Sequence, residues 1–236
     1  MARNEPIRGQ RRQALIRATI AVIARRGYSG TTVARVAEKA RVSVGLMNFH
    51  FDSKDRLFRE TFRHLAEEYA EVWRRNLEAA PDEPAARIRA MIESHFDPRV
   101  FTRDKLAVWF TFWSDAELRG RYRASATRIE RRYLQALEAE SRRLIAAARG
   151  QARDAKPIIA ALSAMIDGYW LQAMLYPQAF DRRAAVEACL AFLKLRLGES
   201  FASRPHPPRG FAAGPPSLPL RGRGHAPAPS PPEGAG

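Results

Sequence analysis

Apolar residues recur at helical spacing along most of the chain, and no stretch alternates convincingly as a strand. That period dictates an all-α fold, because a face repeating every 3.6 residues cannot stay on one side of a sheet. From Arg11 to Arg26, Leu15, Thr19, Val22 and Ile23 share one face, and Gly27 ends the helix. Short helices follow from about Thr32 to Ala40 and from Ser43 to about His50. A fourth runs from Asp52/Ser53 to about Ala79 and is ended by Pro81 and Pro84. Pro98 precedes a helix from about Arg103 to Asp115, and Gly120 and Gly150 roughly bracket a long one. Pro157 fits the first turn of a helix that stops before Pro177, and the last spans about Asp181 to Leu197 with Gly198 as its stop. From Ala202 onward apolar periodicity vanishes and ten of the 16 prolines gather, which predicts a disordered tail over 202–236.

Charge is distributed unevenly over these segments. Residues 1–56 carry 12 Lys/Arg against 4 Asp/Glu, whereas residues 57–201 are close to balance at 24 against 20. A basic N-terminal unit on a nearly neutral body suits a polyanionic partner for that unit. The segment Thr32–Phe51 has the layout to meet one. Two short helices are joined by a tight turn, so that the second can lie in a major groove. Ala37 and Ala40 are small enough for close helix approach, Val42 plugs the turn, and Ser43 can cap the second helix. Met47 and Phe51 supply its inward face. Val44, Leu46, Asn48, Phe49 and His50 are left to be divided among groove, phosphate and core.

These residues resemble the TetR family of repressors. The resemblance is carried by Val42-Ser43-x-Gly45-x-x-x-Phe49-His50-Phe51, followed by Ser53-Lys54-Asp55-x-Leu57. Upstream, Gly27-Tyr28-x-x-Thr31-Thr32-Val33-x-x-Val36-Ala37 matches as well. It implies a three-helix helix-turn-helix DNA-binding domain over 1–56, with 32–51 as the reading unit, and a helical ligand-sensing and dimerisation domain over 57–201. By the same resemblance Thr32, Ser43, Val44, Gly45, Asn48, Phe49, His50 and Lys54 form the DNA-binding set. Val44 and Asn48 would face bases, Phe49 and His50 the backbone, and Thr32 and Lys54 phosphates. A helix start bearing a lysine is an anion site on physical grounds too. Arg41 stands where the family commonly has Gly in the turn; if that residue needs positive φ, Arg costs about 1 kcal/mol. Asn48-Phe49 replaces a frequent Tyr-Tyr pair, removing one phosphate-contacting hydroxyl.

A second group of residues is aromatic. Trp109, Phe112 and Trp113 fall at i, i+3 and i+4 on one helix face, and Asp167 and Trp170 lie three apart on another helix. An aromatic core stripe is the ordinary explanation of such spacing. An aromatic cage for a quaternary ammonium ion, with Asp167 as its counter-charge, is the functional one. Asp167 needs a partner in either case, and an Arg or Lys of a neighbouring helix serves as well as a ligand. Lys105-Leu-Ala-Val-Trp109-Phe-Thr-Phe-Trp113 and Ala164-Met-Ile-Asp167-Gly168-Tyr-Trp170 resemble the choline-responsive BetI-type branch of the TetR family. That resemblance implies repression of choline uptake and glycine betaine synthesis genes, relieved by choline, betaine aldehyde or a related cation. The alternative is a TetR-type regulator answering a different apolar or cationic compound.

Gly168 in mid-helix costs about 1 kcal/mol relative to Ala. With Ala161 and Ala164 it makes a small-residue face. This helix and Val186, Leu190, Leu193 and Leu197 of the last one are expected to form the interface of a two-fold homodimer. Two reading helices would then reach successive major grooves of a pseudo-palindromic operator in double-stranded DNA.

The remaining features are negative. The five histidines (His50, His64, His95, His206, His225) have no metal-ligand spacing, and no phosphate loop, nucleophile elbow or paired-carboxylate site is evident. Catalysis and a cofactor are not expected. A non-specific nucleic-acid coat is disfavoured by the balanced helical body. The single cysteine, Cys189, sits among apolar residues and reads as a buried thiol in a reducing compartment. No apolar run approaches the length of a membrane span, the longest of note being Leu106–Trp113, and no secretory signal is present. A cytoplasmic protein without a membrane partner is the expectation.

Overall fold

The computed structural model describes residues 5–147 and 155–197; the expected tail, Gly150 and Gly198 lie outside them. Among the described residues the chain is helical and has no strand. The elements are α1 (Glu5–Arg26), α2 (Val33–Ala40), α3 (Val44–His50), α4 (Lys54–Glu78) and α5 (Pro84–His95). They continue with α6 (Arg103–Ser114), α7 (Ala116–Ala147), α8 (Ala155–Leu175) and α9 (Arg182–Leu197).

Local chemistry fixes the small N-terminal helices. α1 buries Leu15, Ile16, Ile20, Val22 and Ile23, and stops at Gly27, whose φ of 66° needs no Cβ and whose N–H reaches the Ile23 carbonyl at 2.8 Å. Gly30 is required by space. A Cβ there would lie 2.4 Å from the Arg26 carbonyl oxygen. Thr32, Ser43 and Ser53 cap α2, α3 and α4, each hydroxyl accepting the N–H three residues on, at 3.3, 3.1 and 3.1 Å. Between α2 and α3, Arg41 adopts the left-handed conformation, φ 56° and ψ 46°, so this turn does carry the strain that glycine would avoid. Val42 packs half-buried beneath the turn, and Met47 and Phe51 close the core below α3.

α4 is the long strut. Its 25 residues span about 37 Å at 1.5 Å per residue. Leu57, Phe58, Phe62, Leu65, Ala66, Tyr69, Val72 and Trp73 form one buried stripe along it. α4 packs on α1 at one end and on α5 and α7 further along, while α1 also packs on α6. An ion pair of Arg12 with Glu60 ties α1 to α4, and Arg87 to Glu140 at 2.7 Å ties α5 to α7.

Several sequence expectations need correction. Pro84 does not merely end α4. It opens α5, where a missing N–H costs nothing, and Ala85, Ile88, Met91 and Ile92 point inward behind it. Gly120 lies within α7, which instead begins after Asp115; that carboxylate accepts the Leu118 N–H at 3.0 Å. The expected α9 interface face is reversed. Val186, Leu190 and Leu193 are buried within the subunit, and Ala184, Ala191 and Leu195 face outward instead. α8 is also long and apolar enough, by length and composition, to cross a membrane. Two apolar faces explain that. Ile158, Ile159, Leu162, Ile166, Trp170 and Ala173 face the core, while Ala161, Ala164, Leu171 and Leu175 are exposed.

One histidine of the body, His95, is enclosed by the rings of Tyr69, Tyr133 and Trp170. Burial pushes the His95 imidazole down to about 3, so it stays neutral in the folded chain. An unfolded chain takes up that proton below about pH 6.5. Stability contributed by the neutral form is therefore full above pH 6.5 and falls as pH drops towards 3. Urea unfolding should show stability declining from pH 6.5 to 5.5, by up to about 1.4 kcal/mol per unit from His95. His95→Asn should flatten that slope; an equal slope in the variant would mean the imidazole is protonated in the fold.

Candidate functional site

Two sites emerge, one on the α2–α3 head and one where α4, α5, α6, α7 and α8 meet. On the head, Thr32, Ser43, Val44, Gly45, Asn48 and Phe49 are exposed. Val44 and Phe49, 45% and 64% exposed, are large apolar groups left in water at either end of α3. Gly45 has open space about it: a Cβ would meet only the Ser43 hydroxyl, at 3.9 Å. Nothing within the chain demands glycine there, although glycine lowers helix stability. What it leaves clear is an approach to the helix backbone from outside. His50 differs from its expected place. Its ring is buried and meets Phe49 edge-on at 5.4 Å, so it braces Phe49 rather than standing at the surface.

Lys54 is the first residue of α4 and half-buried. Its ammonium lies 4.7 Å from the Tyr28 ring centre and 5.3 Å from that of Phe58. The two rings hold the charge beside the start of α4, where backbone N–H groups also favour an anion. Arg25, Arg26, Arg35, Lys39 and Arg41 are exposed on the same unit.

In the body, Trp109, Trp113 and Trp170 make a triad. Their ring centres are 6.0 Å (Trp109–Trp113), 6.4 Å (Trp109–Trp170) and 6.0 Å (Trp113–Trp170) apart, the last pair stacked at 21°. Trp109 and Trp170 are buried, whereas Trp113 is 37% exposed and opens the cluster to solvent. The Trp170 indole N–H donates to the His95 carbonyl at 3.2 Å, which fixes the ring. Phe112 stands one ring away, against Phe62 at 4.3 Å, and Phe62 meets Trp109 edge-on at 5.0 Å. Tyr69 lies 6.4 Å from Trp170, and its hydroxyl is 3.2 Å from the imidazole nitrogens of His95.

Asp167 is exposed on the isolated subunit, and no hydrogen bond or ion pair to it is made among the described residues. Burial, and then the charge of Glu130, raise its pKa above the ordinary carboxylate range. Both carboxylates also act on Tyr69, whose pKa is raised well above 10, chiefly by burial and then by Tyr133, Asp167 and Glu130. Asp167 and Glu130 are thus felt at the Tyr69 hydroxyl, and the Tyr69 ring lies against Trp170. Such a place attracts a cation and does not require it to be a hydrogen-bond donor. A cation about 3.5 Å off the plane of the three ring centres lies within roughly 6 Å of each.

Sequence spacing singles out the tryptophans and Asp167, but not Phe62, Tyr69, His95, Tyr133 or Glu130. Phe62, Tyr69 and Trp73 do share a face of α4 at seven- and four-residue steps, a signal that marks an aromatic stripe without saying what it meets. Among the described residues no three side chains gather as metal ligands. Cys189 is buried, and burial pushes its thiol up to about 11, as an inert core residue requires.

Comparison with known proteins finds a family match for each half of the described chain. Residues 15–61 match bacterial regulatory proteins of the tetR family, and residues 84–198 match the C-terminal domain of BetI-type transcriptional repressors. The HTH-type transcriptional regulator BetI of Burkholderia thailandensis is 35% identical over 187 residues, covering 79% of this chain and 93% of that protein. BetI of Paraburkholderia phymatum is 34% identical over 197 residues, covering 83% and 97%. A crystal structure of a transcriptional regulator from Pseudomonas aeruginosa PAO1 superposes with a TM-score of 0.69 at 31% identity, over 86% of this chain and 97% of that one. The fold is also that of a Saccharomonospora viridis regulator solved in complex with choline, at TM-score 0.68 and 21% identity, over 79% and 96%. The chain belongs to the TetR family of transcriptional repressors, in its BetI-type branch.

Proposed function

We propose that the chain is a homodimeric repressor of choline uptake and glycine betaine synthesis genes, released from its operator by choline or betaine aldehyde. The observation that carries the reading is the tryptophan triad, with Asp167 one turn before Trp170 on α8. A trimethylammonium group cannot donate hydrogen bonds, so aromatic faces and a nearby anion are the chemistry that recognises it. The BetI name of relatives near 35% identity supports the same ligand, as does choline in the Saccharomonospora viridis structure. Because the Trp113 and Trp170 rings already touch, a cation settles over the triad or parts the two rings.

In this reading residues 1–56 are the reading head and 57–201 the sensing and dimerising body. Val44 and Asn48 meet base edges, with Val44 suited to a thymine methyl. Gly45 allows close approach, and Thr32, Ser43, Phe49 and Lys54 border the phosphates, with His50 in support. Dimerisation uses the outward faces of α8 and α9. Ala161, Ala164, Gly168, Leu171 and Leu175 follow steps of three and four residues, as do Ala184, Ala188, Ala191 and Leu195. That alternation is the seam of antiparallel or parallel helix pairing, and a Cβ at Gly168 would meet nothing within the subunit. Two-fold pairing of α8 and α9 gives a four-helix contact and sets two reading helices about 34 Å apart.

Choline titrated into the full chain should change tryptophan fluorescence saturably, and Trp170→Ala or Trp109→Ala should abolish the response. An unresponsive wild type would remove choline as the ligand. On the DNA side, Lys54→Ala should weaken operator binding and lower the salt slope by about one. An unaltered slope would deny Lys54 a phosphate.

A further inference from the structure

The α2–α3 turn places an arginine where its backbone favours glycine. Arg41, at φ 56° and ψ 46°, is the one non-glycine residue with positive φ among those described. Its backbone ends α2 as a glycine would. The Arg41 N–H reaches the Glu38 carbonyl at 3.0 Å, and the Val42 N–H reaches the Ala37 carbonyl at 3.0 Å. Glycine makes both bonds without a Cβ to crowd the following carbonyl, so the turn itself has no use for the side chain. Nor has the rest of the subunit. The Arg41 side chain is exposed, and among the described residues its guanidinium makes no hydrogen bond, ion pair or ring contact. Other cations of the head are engaged within the chain: Arg35 donates to the Gly30 carbonyl at 2.6 Å, and Lys54 is held against the Tyr28 and Phe58 rings. Arg41 stands on the turn that leads into α3, with exposed Ser43 and Val44 two and three residues on.

Resting on the reading of α2 and α3 as the DNA-binding head, we propose that Arg41 binds a phosphate of the strand bordering the groove that takes α3. Strain retained where glycine would serve better is balanced by a contact outside the chain. A guanidinium offers parallel N–H donors that match two phosphate oxygens, and its long stem reaches them from beside the groove. Such a contact adds affinity and fixes the head's register without reading a base. The head therefore gives up stability in the turn for a hold on the DNA backbone.

The test is fluorescence anisotropy of the full-length chain on two labelled duplexes of equal length, measured over a series of salt concentrations. One carries the region upstream of this chain's own gene and the other a scrambled sequence. The variants are Arg41→Gly, Arg41→Ala and Arg41→Lys, with Lys54→Ala alongside, and urea unfolding accompanies each. Arg41→Gly and Arg41→Ala should weaken binding severalfold on both duplexes and lower the salt slope by about one. Arg41→Lys should keep the slope, since it keeps the charge. Only Arg41→Gly should raise the urea midpoint, because it alone relieves the turn. Unchanged slopes in Arg41→Gly and Arg41→Ala beside a lowered one in Lys54→Ala would overturn the Arg41 contact and leave the head's reading intact. A loss in Arg41→Gly alone would trace to a loosened turn and overturn it too. Wild-type binding to neither duplex, or binding indifferent to salt, would remove the DNA reading of the head and this inference with it.

Discussion

The indole of Trp170 joins α8 to three other helices at once. Its N–H holds the carbonyl at the end of α5, and its ring touches Tyr69 on α4 and both tryptophans of α6. Those helices also meet directly, through Tyr69 and His95 and through Phe62 and Trp109, and Trp170 adds α8 to that contact. Two of the elements so joined continue to the reading head. α4 begins at Ser53 and Lys54, and α6 packs on α1, the helix that supports α2 and α3. A molecule that shifts the tryptophan triad therefore acts on the two elements that set the head's position. Packed interiors transmit such displacement because they have little free volume.

Places where local rules are broken include both sites. Arg41 is strained, Gly45 weakens its helix without a neighbour to excuse it, and Phe49 stands in water. In the body Trp73 and Tyr133 lack acceptors among the described residues. A third set is the apolar Leu171, Leu175 and Leu195, exposed on α8 and α9. Departures gathered in patches are the pattern of surfaces completed by something outside the chain.

The head was legible in the sequence because its determinants are local. Caps, a small-residue contact and a turn lie within 20 residues, and Thr32, Ser43, Met47 and Phe51 fall where their chemistry predicts. His50 did not, since a seven-residue helix gives too little period to separate a buried flank from an exposed one. α5 was obscured because a proline after a helix reads as a stop and as a start alike. The α9 face was misassigned because this helix is apolar on two sides, and larger side chains drew attention to the side that the subunit itself buries. The aromatic layer at α4, α5 and α7 is non-local: Tyr69, His95 and Tyr133 meet only after folding, so spacing along the chain carries no trace of the contact.

Coupling between the two sites obeys reciprocity, which gives the most direct test of the account. Operator affinity of the protein, measured by fluorescence anisotropy at fixed salt, should fall at least tenfold in saturating choline. Choline affinity should fall by the same factor when the protein is held on its operator. Equal choline affinity for the free and DNA-bound protein would contradict the claim that the tryptophan triad governs the reading head.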